Sequence, residues 1–352
     1  MESKLRFFVY PAWFSFCFTV SVYLTFPVDL LENQVVQIAE AALGKGDRRK
    51  VGRHGVEPKV EIGSLSLYRL TGLSFERLSL QLASNNPDPG PVIDFDEFNV
   101  SVGMFGGITG SPTVSFNGRM YEGEFNGEVD IKNAPSVFSL LGDDEKPAKG
   151  KQAKPGLDGL EFELEGLRLD RAPVLLEKVG LPLTGTMSAQ VNLAPGENPA
   201  KEAEGSIEIQ ATGLSVGPGE RKIPMMGPFT VPLIDMGKLS VSLPIQKGKG
   251  KTEICRLKGN DFGGEMELSV SISPNLMSSK LSGDGSFAVE QQFLEKNGKF
   301  KTILEFPGPL QKAKDKEGRF HYLVKGNIEK PKFSLSSTGG KKKSKRGRKK
   351  GK

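Results

Sequence analysis

Residues 60–82, V-E-I-G-S-L-S-L-Y-R-L-T-G-L-S-F-E-R-L-S-L-Q-L, decide the fold class. Leu73 and Phe75 alternate with polar residues, two polar residues intervene, and Leu78, Leu80 and Leu82 then alternate again. The spacing recurs at Ile93, Phe95, Phe98, Val100 and Val102, and Val60, Ile62, Leu65 and Leu67 form a shorter copy. A strand sends successive side chains to opposite faces, so a period of two marks a half-buried strand. An extra residue in each gap resets which parity faces inward, as a bulge or tight bend would. Each segment therefore reads as a strand with a corner, or as two short strands.

The same alternation runs through Met187–Leu193, Ile207–Val216, Leu239–Ile245, Met266–Ile272 and Phe320–Val324, with Gly or Pro punctuating nearly every run. Gly makes up 43 of 352 residues, about 12% against a usual ~7%, which suits strand corners and turns and harms helix interiors. The expectation is a mainly β protein: a large, mostly antiparallel β-sheet domain with a few short helices.

A different pattern precedes the strands. Residues Phe7–Val28 carry no charge over 22 positions, and about 20 apolar residues span a bilayer as a helix. Phe7, Tyr10, Trp13, Phe16, Phe18, Tyr23 and Phe26 make this stretch aromatic, with Tyr10, Trp13 and Tyr23 toward its ends, where amphipathic rings favour the interface. Lys4 and Arg6 precede it, which keeps the N-terminus cytoplasmic and sends the rest across the membrane. A cleaved signal peptide would have a shorter apolar run and a small-residue site after it; Pro27 and Asp29 follow instead. One N-terminal transmembrane helix is therefore expected. Leu31, Val35, Ile38, Ala39 and Ala42 continue at helical spacing, followed by a polar, basic loop at Gly44–Gly55.

The charge is unevenly placed. Lys and Arg number 48 against 42 Asp and Glu. Nine of the basic residues stand in one run: Lys341, Lys342, Lys343, Lys345, Arg346, Arg348, Lys349, Lys350 and Lys352. Residues 1–340 keep 39 basic against 42 acidic, a net of −3. A nucleic-acid reading would rest on that run alone and not on a folded basic face, so nucleic acid is not an expected partner.

The organisation reads as a cytoplasmic N-terminus and anchor (1–28), a juxtamembrane helix and loop (29–56), a first β subdomain (57–141), a linker rich in Lys, Pro and Gly (142–156), a second β subdomain (157–337) and a disordered basic tail (338–352). Val129–Gly142 aligns with Leu167–Gly180: each ends a strand, passes Ala-Pro and enters a short apolar segment closed by Gly. Pro135 and Pro173 suit a first helical turn, Gly142 and Gly180 a stop, and Asn133 and Asp170 are candidate caps.

No chemistry-bearing motif stands out. Two cysteines, Cys17 and Cys255, exclude a disulfide framework, and His54 and His321 leave little for metal or acid–base work. No GxGxxG, Walker loop, HExxH or GxSxG occurs. Gly103–Gly110 reads as a hairpin corner and N-D-F-G-G from Asn260 as a turn. Asp94 and Asp96 share the face opposite Ile93 and Phe95, as solvated residues do, and His321 belongs on a polar rim. No catalytic residue, metal or cofactor is expected.

The order of features carries a resemblance. The anchor ends in Y-L-T-F-P (Tyr23–Pro27). Then come G-S-L-S-L-Y-R-L-T-G-L-S-F (Gly63–Phe75), V-S-F-N-G-R-M-Y-E-G-E-F-N-G (Val114–Gly127), L-P-L-T-G-T-M-S (Leu181–Ser188) and F-H-Y-L-V-K-G-N-I-E-K-P-K-F (Phe320–Phe333). This resembles the type II secretion system protein N (GspN) family in its long δ-proteobacterial-like form, and the Y-x-G-x-x-x-G unit and the ending look like AsmA-type proteins. The resemblance implies an inner-membrane protein with a periplasmic β domain, accessory to the type II machine that carries folded proteins across the outer membrane, with other secretion-system proteins as partners. The AsmA likeness implies a curved sheet, groove or sandwich, with lipid as the alternative partner. Leu73, Phe75, Leu78, Leu80, Ile93, Phe95, Phe98 and Val100 would then line one apolar face, as a groove or as core. Soluble proteins rarely expose large apolar patches, which favours core.

Overall fold

The computed structural model describes residues 56–69, 71–82, 90–103, 106, 111–133, 156–223, 227–305, 309–328 and 330–336, with 32, 34–37, 39 and 40. The expected anchor at 7–28, the loop at 44–55, the linker up to residue 155 and the basic run at 341–352 lie outside the described residues. Among the described residues no helix is long and apolar enough to cross a membrane. The chain divides into two compact units, 1–178 and 179–352. The strand over residues 156–168 and the short helix after it thus fall with the first unit.

The first unit is a six-stranded antiparallel meander. Its strands are β1 (Lys59–Tyr68), β2 (Gly72–Gln81), β3 (Val92–Val102), β4 (Thr113–Met120), β5 (Gly123–Lys132) and β6 (Gly156–Arg168), paired in sequence order. The gaps in the alternation are not bulges. Ile62 pairs with Leu78 and Leu78 with Phe95; Leu65 pairs with Phe75 and Phe75 with Phe98. The residue count is one to one across all three strands, whereas a bulge opposes two residues to one. The strands change parity together, at Gly63, Arg77 and Asp96. Arg77 adopts φ 55°, a left-handed conformation that turns the chain, so Phe75 and Leu78 both face inward, 5% and 8% exposed. At Gly63 a Cβ would stand 2.9 Å from the Glu76 carbonyl oxygen and 3.1 Å from the Arg77 Cβ.

The β4–β5 hairpin is built from two copies of Phe-Asn-Gly. Antiparallel pairing sets Phe116 opposite Gly127, Asn117 opposite Asn126 and Gly118 opposite Phe125. Each ring thus lies across a glycine that offers no side chain. A Cβ at Gly127 would stand 2.5 Å from the Phe116 Cζ, and one at Gly118 2.8 Å from the Phe125 Cζ. Rings shielding strand glycines in this way stabilise otherwise weak positions. The result is a run of ring contacts across five strands, with centroids of Phe75–Phe98 at 5.9 Å, Phe98–Phe125 at 6.0 Å, Phe116–Phe125 at 6.4 Å and Phe116–Phe162 at 6.3 Å.

The hairpin turn, Tyr121-Glu122, has positive φ at both residues, 51° and 63°, as a two-residue turn matched to strand twist requires. Neither is the Gly or Asn usual there. Side-chain bonds offset the strain. The Tyr121 hydroxyl donates to the Val92 carbonyl (3.3 Å) and accepts from the Asp94 N–H (3.1 Å), while Glu122 pairs with Arg168 at 3.1 Å and Arg171 at 3.4 Å.

The second unit holds β7 (Leu183–Ala194), β8 (Glu204–Val216), β11 (Ile234–Gln246), β14 (Phe262–Ser271), β15 (Lys280–Val289), β16 (Phe320–Asn327) and β17 (Pro331–Leu335), antiparallel in that order. β12 (Lys249–Lys251) and β13 (Ile254–Lys258) bridge β11 and β14. β9 (Gly219–Ile223) and β10 (Gly227–Val231) form a separate hairpin. Short helices at Gln291–Lys296, Gly298–Glu305 and Pro309–Ala313 stand between β15 and β16. Phe293 from the first of these packs with Val231, Ile234, Phe229, Phe262 and Phe300 over one end of the sheet.

All five alternating runs expected beyond residue 180 are strands. Of the aligned pair, the second copy behaves as read: Pro173 opens a helix and Gly180 follows it at φ 68°. Asp170 is not its cap; it sits in a 3-10 turn, Leu169–Arg171, and binds Arg168 at 2.8 Å. The helical part of the first copy lies outside the described residues.

Candidate functional site: an apolar trough in the second unit

The eight residues expected on one apolar face do share it. Phe75 and Leu78, with Val60, form a buried cluster, against which Leu73, Leu80, Phe95, Phe98 and Val100 pack. Ile93 pairs with Leu80 in the same row and is half-buried. Val35, Val36 and Ala39, at helical positions near residue 35, pack on the cluster as well, and the Glu40 carboxylate accepts the Val60 N–H at 3.3 Å. The middle of this face, around Phe75 and Leu78, is thus core, and the other six residues are half-buried. Asp94 and Asp96 on the other side are exposed, with Asp94 accepting a hydrogen bond from the Ser79 hydroxyl.

An open apolar space is found in the second unit. A trough of about 500 Å³ runs along one sheet face, from Met236 and Phe262 to Phe333 and Leu335. Pairing explains it. Leu239, Leu257, Gly264 and Phe287 follow one another across β11, β13, β14 and β15. In the next row Met266 pairs with Gly285, Gly285 with Tyr322 and Tyr322 with Leu335. Each row contains one glycine, of which only Gly264 lines the trough. Tyr322 lies over Gly285, where a Cβ would stand 2.4 Å from its Cζ. At Gly264 the nearest atoms to a Cβ are the Ser286 carbonyl oxygen at 3.2 Å and the Phe287 Cβ at 3.5 Å, so that position stays empty for want of a side chain. Phe287 stacks between Phe262 at 5.1 Å and Phe320 at 5.2 Å and forms one wall. The outer wall is β17, exposed along its length, with Phe333 at 68% exposure.

The trough is electrically quiet. Burial pushes the Cys255 thiol up, and it pushes the Tyr322 phenol up too, assisted by Cys255 and Asp284. Both groups stay neutral at neutral pH because desolvation disfavours the charged form. Glu265, on the rim, is neutralised by Arg319 at 2.9 Å. Volumes of ~300–1,000 Å³ with mostly apolar walls are usual for small-molecule sites.

The opposite face of the same strands carries a second hollow, of about 440 Å³, which is polar. Of its charged side chains, Lys251 binds Glu267 at 2.7 Å, while His321 meets Asp315, which stands outside the lining, at 2.8 Å. His321 is thus on a polar rim, as its alternation with Phe320 and Tyr322 implied. Asp315 also accepts the N–H groups of Glu317 and Arg319, each at 2.9 Å, so it organises the turn before β16. Among the described residues no group of three or more His, Cys, Asp or Glu is placed to hold a metal ion.

None of the trough residues was singled out from the sequence. Gly264, read from the sequence as part of a turn, lies inside β14, and Gly285 lies inside β15, which the alternation did not mark; a glycine inside a strand signals close approach or a missing side chain. In comparisons with known proteins the chain matches no family model, no curated sequence and no solved structure.

Proposed function

We propose that the protein is a non-enzymatic envelope component, anchored in the bacterial inner membrane by residues 7–28 with its β units periplasmic, that shelters the acyl chain of a lipid in the trough of its second unit. The observation that carries this reading is the open, largely apolar hollow between β11 and β17, whose charged lining residue, Glu265, is paired with Arg319. Each methylene taken from water contributes about 0.8 kcal/mol. Roughly ten would offset much of the ~4–15 kcal/mol cost of association. Gly264 provides the test, because it lines the trough and a Cβ there would meet no atom closer than the Ser286 carbonyl oxygen at 3.2 Å. Full-length protein and Gly264→Leu, extracted from the same membranes, should differ in bound lipid by mass spectrometry, with acyl-bearing molecules lost from the variant. Equal lipid in the two, with unchanged circular dichroism, refutes the reading.

A second reading follows the GspN resemblance: an accessory subunit of a type II secretion system that contacts partner proteins by strand addition. The edge strand β17 supports it, since it pairs only with β16 among the described residues and is exposed throughout. Unpaired edges accept an added strand. Loss of the gene should then trap secreted enzymes in the periplasm; normal secretion with altered envelope lipids favours the trough instead.

A further inference from the structure

β17 ends its strand order and pairs only with β16 among the described residues. The ladder shows which of its backbone groups are unused. The Ser336 N–H donates to the His321 carbonyl at 2.9 Å, and antiparallel pairing alternates between residues bonded to the partner strand and residues turned away from it. Lys332 and Ser334 therefore point their backbone groups at β16, and Pro331, Phe333 and Leu335 point theirs outward. Proline has no N–H, which suits an edge, so the outward donors are the Phe333 and Leu335 N–H groups. The strand is exposed along its length, including the apolar Phe333 and Leu335. β1, the outer strand of the first unit, is different: its Val60 N–H goes to the Glu40 carboxylate at 3.3 Å, and Val35, Val36 and Ala39 pack on the Val60 cluster.

We infer that a second copy of this chain adds to β17, forming a two-fold dimer in which the sheet continues across paired Phe333 residues. This rests on the strand-addition reading above and names the partner. The segment Pro331–Leu335 is complementary to itself. Aligned antiparallel about Phe333, two copies set Phe333 against Phe333, Pro331 against Leu335 and Lys332 against Ser334. Each Phe333 N–H then donates to the Phe333 carbonyl of the second copy, and each Leu335 N–H to its Pro331 carbonyl. Every outward donor is satisfied, and the absent proline N–H leaves only the Leu335 carbonyl without a bond. The two Phe333 rings, otherwise in water, cover each other. Each lysine stands opposite a serine, so like charges, which destabilise when directly opposed, are kept out of register. The contact uses the same patch on both copies and closes after two, as isologous interfaces do.

Five residues per copy bury far less than the ~1,200 Å² of a stable interface, so the association is weak and a covalent trap is the fitting readout. Positions 332 and 334 of opposite copies form a non-hydrogen-bonded pair with Cα atoms about 4.5 Å apart, inside the range a disulfide spans. Like positions, 332 with 332 or 334 with 334, are diagonal neighbours about 7–8 Å apart, beyond the disulfide limit of about 7 Å. Full-length protein in a Cys17→Ser, Cys255→Ser background carries either Lys332→Cys or Ser334→Cys, each with its own tag. The two are reconstituted in vesicles, separately and mixed, and oxidised. The mixture should give disulfide dimers several-fold in excess of either protein alone. Leu335→Pro removes an outward N–H without touching the β16 ladder, and Phe333→Lys sets like charges together at the two-fold axis. Each should lower the mixed yield several-fold with circular dichroism unchanged. Equal yields in the three samples, no dimer, or a mixed yield that survives both substitutions overturns the inference. Secretion in cells then separates this failure from that of the parent reading. If no dimer forms yet Leu335→Pro traps secreted enzymes in the periplasm, β17 adds to another protein; if secretion is also normal, strand addition itself is refuted.

Discussion

Alanine at Gly127 should destabilise the first unit by about 1–2 kcal/mol. In a strand interior, Gly→Ala by itself is favourable by roughly 0.5–1 kcal/mol, because the unfolded chain loses less entropy on folding. Here the new Cβ would stand 2.5 Å from the Phe116 Cζ and 2.7 Å from the Glu161 carbonyl oxygen. The ring can tilt away; the carbonyl, held in the β5–β6 ladder, cannot do so without moving β6. Overpacking of this kind costs about 1–3 kcal/mol, which exceeds the propensity gain. Gly103→Ala is the matched control, since its nearest neighbour is the Thr113 carbonyl oxygen at 3.5 Å, an ordinary contact, and a change within about 0.5 kcal/mol is expected. Urea denaturation followed by far-ultraviolet circular dichroism measures both. In a Phe116→Leu background the Gly127→Ala cost should shrink but persist, because the carbonyl contact remains. Equal effects at the two glycines, or a stabilising Gly127→Ala, would refute the account of the paired Phe-Asn-Gly segments.

Tyr121→Phe removes a hydroxyl that both donates to Val92 and accepts from Asp94, so a loss of about 1 kcal/mol is expected, with faster hydrogen exchange at the Asp94 amide. The Asp315 carboxyl is held below the ordinary range, first by its hydrogen bond with His321 and then by the Arg319 N–H. A carboxylate with a depressed folded value contributes stability above its unfolded value of about 3.9 and loses it as the pH falls through the lower folded value. Asp315→Asn should therefore flatten the acid limb of the second unit's stability curve below about pH 4; an unchanged acid limb would show that the His321 contact is not formed in solution.

Much of the strand content was legible because alternation is a local property. Leu73 and Phe75, or Phe320 and Tyr322, announce a face without reference to any partner strand. The same locality left the gaps open between a bulge and a tight bend. From one strand, Glu76-Arg77 looks like an inserted residue. Only pairing with β1 and β3 reveals that Ile62, Leu78 and Phe95 stay in register, and that the chain turns at Arg77 instead of bulging. The apolar face was also read correctly as a face, but its accessibility was not readable. Whether Phe75 lines a groove or a core depends on what packs on it, and Val35 and Ala39 lie more than thirty residues away in sequence.

The sequence by itself determined the β class, the polar and apolar sides of the strands that alternate, the charge-free stretch at 7–28 and the separation of a basic run from a slightly acidic body. These follow from composition and from a period of two, which need no tertiary contact. Only the tertiary structure decided where the open apolar space is. Met236, Leu257, Gly264, Tyr322 and Phe333 come from five strands, and each looks like ordinary alternation in its own segment. Register between strands sets the two glycines into neighbouring rows beside Phe287 and Tyr322. A hollow depends on which side chains register brings together across strands, and no single strand's sequence contains it.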